Sequence, residues 1–95
     1  MKTLADIRRR AAKGTRLEVV AQTRRPVLVG TVRTITNARS LSARSYEFTS
    51  SHAAGKTYVG TWPKASEVRI IGADTFEYDL KPGPGTIRLR FLPAA

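Results

Sequence analysis

Gly55-Lys56-Thr57 reproduces the last three residues of a phosphate-cradling P-loop, and just upstream stand Ser50, Ser51 and His52. Two chemistries are on offer: nucleotide binding by a glycine-rich loop, and nucleophilic catalysis by a Ser-His-Asp set with Asp74 as the third member. The P-loop needs a first glycine where this chain has Ser50, and a helix after the threonine to aim backbone N–H groups at phosphate. Here Thr57 is followed by Tyr58-Val59-Gly60-Thr61-Trp62-Pro63, which reads as strand. The Lys56 segment is thus expected to be an exposed hairpin tip made by Ala53-Ala54-Gly55. Adjacent serines and a histidine on such a tip lack the supporting groups a triad requires. Glu77 and Asp79 alternate near Arg88 and Arg90, cations that hold carboxylates ionised and unfit for acid–base exchange. With no cysteine and a single histidine, thiol chemistry and zinc ligation are excluded. No catalytic residue, cofactor or metal is expected, and the chain is predicted not to be an enzyme.

The cations carry the stronger signal. Seventeen Lys and Arg face seven Asp and Glu across 95 residues, a net charge of +10, and twelve of the seventeen are arginine. The planar guanidinium fork suits phosphate and base edges better than an ammonium does. A polyanion partner follows, with nucleic acid first and an acidic protein as the alternative. Hydrophobic content of 41% and charged content of 25% describe one ordinary globular domain spanning residues 1–95. Apolar runs are too short to span a membrane, and MKTLADIRRR lacks the apolar core of a signal peptide, so cytoplasmic residence is expected, at the nucleoid if the partner is DNA. Richness in Arg and Ala matches a bacterial or bacteriophage gene.

The elements that must position these cations are a helix and then strands: a mainly β (α+β) fold. Thr3 and Asp6 form a variant capping box and Gly14 offers a left-handed stop, predicting a helix over about 4–13 with Leu4, Ile7 and Ala11 as its apolar stripe. From about 15 to 92 the period becomes two. TRLEVVAQ is a half-buried strand with Leu17, Val19 and Ala21 inside; TRRP is a turn; VLVGTVRTIT returns as its hairpin partner, bulged or bent at Gly30. Asn37 to Ala43 is a polar loop, RSYEFTS and KTYVGTW are strands, PKASE is one helical turn from Pro63, and EVRIIG is a short strand. TFEYDL and TIRLRF alternate strictly around KPGPG, with Phe76, Tyr78, Leu80, Ile87, Leu89 and Phe91 inside. Glu77 facing Arg88 and Glu77 facing Arg90 satisfy the pattern equally.

The stretch from the helix through GTRLEVVAQTRRPVLVGTVRTITNA resembles the opening of Sm-like small barrels: helix, strand, tight turn, a strand whose Gly30 is flanked by Leu28 and Val32, then Asn37. The acidic residue that family places before its Asn is replaced by Thr36, and the arginine-glycine segment near its end is missing. For residues 4–37 the resemblance implies a small curved antiparallel sheet or an SH3/Sm-like barrel behind one helix.

Arg24 and Arg25, at a hairpin tip stiffened by Pro26, are the candidates to enter a DNA groove. Their Arg-Pro step is similar to one end of an AT-hook, without the glycine that precedes it. Arg8, Arg9, Arg10, Lys13, Arg33, Arg39 and Arg44 are the candidates for phosphate contact, the last two within a Ser/Arg loop that offers both hydroxyl and guanidinium donors. Tyr46 and Phe48 are assigned to the core, which favours double-stranded DNA over RNA; an RNA-binding barrel would require Tyr58 and Trp62 to be exposed. Unblunted strand edges leave a homodimer open.

Overall fold

The computed structural model describes residues 1–38 and 44–93. One helix, α1 (Leu4–Arg10), precedes seven strands: β1 (Arg16–Gln22), β2 (Val32–Asn37), β3 (Ser45–Ser50), β4 (Ala53–Thr61), β5 (Arg69–Ile70), β6 (Thr75–Asp79) and β7 (Thr86–Phe91). All neighbouring strands are antiparallel, in the order β4-β3-β2-β1-β7-β6-β5. β4 and β5 are therefore edges, and the sheet is open.

Alternation builds the inner face. Leu17 and Val19 of β1, Ile35 of β2, Tyr46 and Phe48 of β3, Phe76 and Tyr78 of β6, and Ile87, Leu89 and Phe91 of β7 are buried together with Leu4, Ile7 and Ala11 of the helix. Burial of each large apolar side chain contributes roughly 1.5–3 kcal/mol. The sheet bends around this core, and Trp62, just past β4, joins its two halves. The indole lies 4.5 Å from the Tyr46 ring on β3 and 6.5 Å from Phe76 on β6. Tyr78 sits deep enough that burial pushes its phenol above the ordinary range, with Tyr46 adding to the rise, so the hydroxyl stays protonated.

The helix begins as the sequence dictates. Thr3 Oγ accepts from the Asp6 backbone, and the Asp6 carboxylate accepts from the Thr3 and Lys2 backbone N–H groups. It ends three residues earlier than expected, at Arg10. Ala11 leaves the helical region, and the Thr15 hydroxyl donates to the Arg10 carbonyl at 3.1 Å. Gly14, at φ +90°, then turns the chain into β1 and donates its N–H to the Ile35 carbonyl at 2.7 Å.

Three strand expectations are corrected. Val27-Leu28-Val29 is not strand: Pro26–Leu28 forms a 3-10 turn and β2 starts only at Val32, leaving Val27 and Val29 exposed and Gly30 in the connection at φ +90°. A register shift between Val19 and Ala21 reverses the phase of β1, so Gln22 faces inward opposite Ile87 while Ala21 lies opposite Arg88. The β3–β4 tip is Ser51-His52, since Ser50 already pairs with Ala53; Ala54, Gly55 and Lys56 bulge out of β4, with Gly55 at φ +81°, before Thr57 rejoins opposite Thr49. Thr57 thus leads into strand, as its sequence implied. The C-terminal hairpin adopts the register that sets Glu77 opposite Arg88 and Phe76 opposite Leu89. The helical turn expected from Pro63 is a 3-10 turn over Ala65–Glu67. Of the polar loop expected over Asn37 to Ala43, Asn37 closes β2, and residues 39–43 lie outside the described residues.

Candidate nucleic-acid interface

The seven carboxylates decide which cations are available. Asp6 pairs with Arg9, Asp74 with Arg10 at 3.0 Å, Glu67 with Lys81 at 2.6 Å, and Glu18 with Arg90. Glu77 lies between Arg69 at 2.9 Å and Arg88 at 3.0 Å, and Arg69 also reaches Asp79 at 3.0 Å. Hydrogen bonding from Arg69, reinforced by Arg88, holds the Glu77 carboxyl below its usual value; Arg69 and then Thr86 do the same for Asp79. The Asn37 amide donates to the remaining acid, Glu47, at 2.8 Å.

These pairings separate the expected site residues. Arg9 is drawn onto Asp6. Arg10 is a clamp rather than a free cation: it donates to the Ala73 carbonyl at 3.1 Å as well as to Asp74, and its guanidinium lies 4.3 Å from the Phe91 ring centroid. Arg8 is half-buried on α1. Lys13 is exposed in the turn after the helix and lines a groove with Arg10 and Arg16, the last donating to the Pro93 carbonyl at 2.9 Å. Arg24 and Arg25 do not project as a pair. The Arg24 guanidinium donates to the carbonyls of Pro82 and Pro84, tying the β1–β2 connection to the β6–β7 loop, while Arg25 stays exposed beside it.

Arg33 points inward. It stands opposite Leu17 on the core side of the sheet, donates to the Tyr46 hydroxyl at 3.0 Å, and lies 4.4 Å from the Phe48 ring centroid. Arg44 is exposed at the start of β3, where its carbonyl accepts from the Trp62 N–H. Arg39 lies outside the described residues. Among the described residues, Lys2, Lys13, Arg25, Arg44, Lys56 and Lys64 are exposed cations with no carboxylate at ion-pairing distance.

Lys56 and Lys64 belong with Arg25 and Arg44 for a reason visible in the sequence. Residues 19–66 contain Arg24, Arg25, Arg33, Arg39, Arg44, Lys56 and Lys64 but only one acid, Glu47. That segment folds into most of β1 and all of β2, β3 and β4. The outer face of β2-β3-β4 is consequently hydroxyl-rich: Thr34, Thr49 and Thr57 form one cross-strand row continuing from Arg16 on β1, and Ser45 stands opposite Thr61. Hydroxyls and unpaired cations are the side chains that contact phosphate oxygens.

The aromatic side chains do not form a stacking platform. Tyr46, Phe48 and Trp62 are buried, and Tyr58 is half-buried with its ring stacked 5.6 Å from Phe48. Among the described residues, no cluster of three or more His, Cys, Asp or Glu suits a metal ion, and no helix is long and apolar enough to cross a membrane. No family model, curated protein or solved structure matches the chain.

Proposed function

We propose that this protein binds nucleic acid without catalysis, chiefly duplex DNA, through phosphate contacts with modest sequence preference. The observation that carries the reading is the exposed cation set fed by the nearly acid-free segment 19–66: Arg25, Arg44, Lys56 and Lys64, none with a carboxylate at ion-pairing distance among the described residues. Each such cation that meets a phosphate releases a condensed counterion, so affinity falls steeply with salt. Burial of Trp62 and Phe48 removes the base-stacking surface that single-strand recognition uses, which favours backbone contact over RNA readout. Arg25 is the groove-entering residue, and Arg24 is the brace that positions it. Such a protein would work at the nucleoid, in the cytoplasm.

Fluorescence anisotropy with A·T-rich duplex, G·C-rich duplex and single-stranded RNA, titrated from about 50 to 200 mM salt, tests the reading. The expected result is duplex preferred over RNA, affinity dropping steeply with salt, and weaker binding by Arg25→Ala. No binding at the lowest salt overturns it. A second reading has its own observation: β4 is a nine-residue edge strand with Lys56 in its bulge and Lys64 just beyond its end, a template onto which an acidic protein could add a strand.

A further inference from the structure

Among the described cations, Arg33 is the most unusual. The inner face of β2 is a place for apolar groups, and Leu17 opposite and Ile35 two residues on are both buried there. Arg33 is half-buried on that face, and among the described residues no carboxylate pairs with it. Its protein contacts are hydroxyl and ring: the Tyr46 hydroxyl at 3.0 Å, the Phe48 face at 4.4 Å, and the neighbouring Tyr78 phenol. A guanidinium carries five donors in a planar fork, more than these neighbours can use. Taking an unpaired cation partly out of water is costly, and an anion that completes its coordination recovers that cost.

Space for such an anion exists beside it. A cleft of about 440 Å³ opens at Arg33, walled by Phe48, Trp62, Tyr78 and Leu80. Arg44 and Lys64, both exposed and with no carboxylate at ion-pairing distance among the described residues, line the same cleft. Glu67 and Asp79 also border it, but each is engaged: Glu67 by Lys81 at 2.6 Å and Asp79 by Arg69 at 3.0 Å. The cleft volume falls in the range of small-ligand sites, whose usual make-up is apolar walls with a few convergent polar groups.

We propose that this cleft seats a phosphate monoester, with the Arg33 fork and the Arg44 and Lys64 charges on the phosphate. The geometry suits phosphate because the planar fork binds two of its oxygens at once while the rim cations meet the remaining charge. Two sources supply that chemistry, a free mononucleotide and the 5′-terminal phosphate of a nucleic-acid strand. The second deepens the nucleic-acid reading above and depends on it; the first does not.

Paired anisotropy titrations of one duplex carrying a 5′-phosphate or a 5′-hydroxyl, at about 150 mM salt, are run beside NMR titrations with AMP and with adenosine. The expected result is about ten-fold tighter binding of the phosphorylated end, and saturable shifts with AMP but not adenosine. Arg33→Gln should abolish both discriminations, as should the rim double variant Arg44→Gln/Lys64→Gln, which leaves the inner face intact and so guards against a folding defect. Arg25→Gln should weaken both duplex forms equally. Saturation by AMP with no preference between duplex ends assigns the cleft to free mononucleotides. Duplex binding with neither end preference nor AMP saturation overturns the cleft proposal alone. AMP saturation without duplex binding overturns the nucleic-acid reading and keeps the cleft.

Discussion

The two halves of the sheet present outer faces built on opposite electrostatic plans. Across β1, β7, β6 and β5, cation and carboxylate alternate in cross-strand contact: Glu18 with Arg90, and Glu77 held between Arg88 and Arg69. Across β2, β3 and β4, threonines and serines replace them, Glu47 is the one acid, and the cations Arg44, Lys56 and Lys64 stand at its margins. Equal numbers of arginines would therefore mean different things on the two sides. On the first face charge is consumed in holding strands to one another; on the second the marginal cations have no carboxylate at ion-pairing distance among the described residues. Net charge alone hides this, because the +10 is a sum over both halves.

The largest test of that contrast removes the same charge from each half. Lys56→Gln/Lys64→Gln should weaken duplex binding by roughly ten- to a hundred-fold at about 100 mM salt and reduce the salt slope by about two, whereas Arg69→Gln/Arg90→Gln should change the slope by less than about half a unit. Equal losses in an anisotropy titration would mean that total charge, not its placement, sets affinity.

The next concerns what supports the hydroxyl-rich face from beneath. A Cβ on Gly60 would come within 2.5 Å of the Tyr46 ring, so Gly60→Ala should cost about 1–3 kcal/mol in urea denaturation through overpacking. An unchanged midpoint would mean that the ring can retreat and that β4 is more loosely backed than its partner half.

The smallest effect belongs to the paired face. Glu77→Gln should destabilise by about 1 kcal/mol near neutral pH, modest because both arginine partners are substantially solvated. The folded-state carboxyl lies below its unfolded value of 4.5, so this contribution is present above that pH and is lost as pH falls through the depressed folded value. Stability of the parent and the variant should converge on acidification below about pH 4.5, followed by denaturation at a series of pH values. A gap that persists unchanged into strong acid would assign Glu77 a packing role instead.

Legibility in the sequence followed the range of the interactions. The Thr3–Asp6 cap and the strict alternation of TFEYDL and TIRLRF are local patterns, and both appear as read. Where propensity competed with long-range pairing, the pattern misled. Val27-Leu28-Val29 looks like strand, yet Pro26 opens a 3-10 turn there and the valines stay outside. The phase of Gln22 depends on a bulge against β7, some 65 residues away in the chain, which no window around Gln22 contains. Site residues suffered most, because a cation's availability is set by its partner. Arg24 is bound by carbonyls 58 and 60 residues away, and Arg10 by Asp74, 64 residues away. Nothing adjacent to either arginine announces this. The run over 19–66, whose single acid is Glu47, is visible in the sequence and would have named Lys56 and Lys64 alongside Arg44.

The β4 edge has a consequence for how copies of this protein tolerate one another. Nine residues long, with Val59 61% exposed, β4 offers a broad open margin for strand addition, whereas β5 offers two residues. Its bulge and Lys56 blunt one end only, so most of the protection against self-pairing is mutual repulsion between molecules that each carry +10. That protection is a cloud, not a wall: its reach is about 10 Å at 0.1 M salt and about 3 Å at 1 M. Colloidal behaviour should accordingly run opposite to that of most phosphate binding, with molecules kept apart in dilute buffer and their bare margins brought within reach as ionic strength rises.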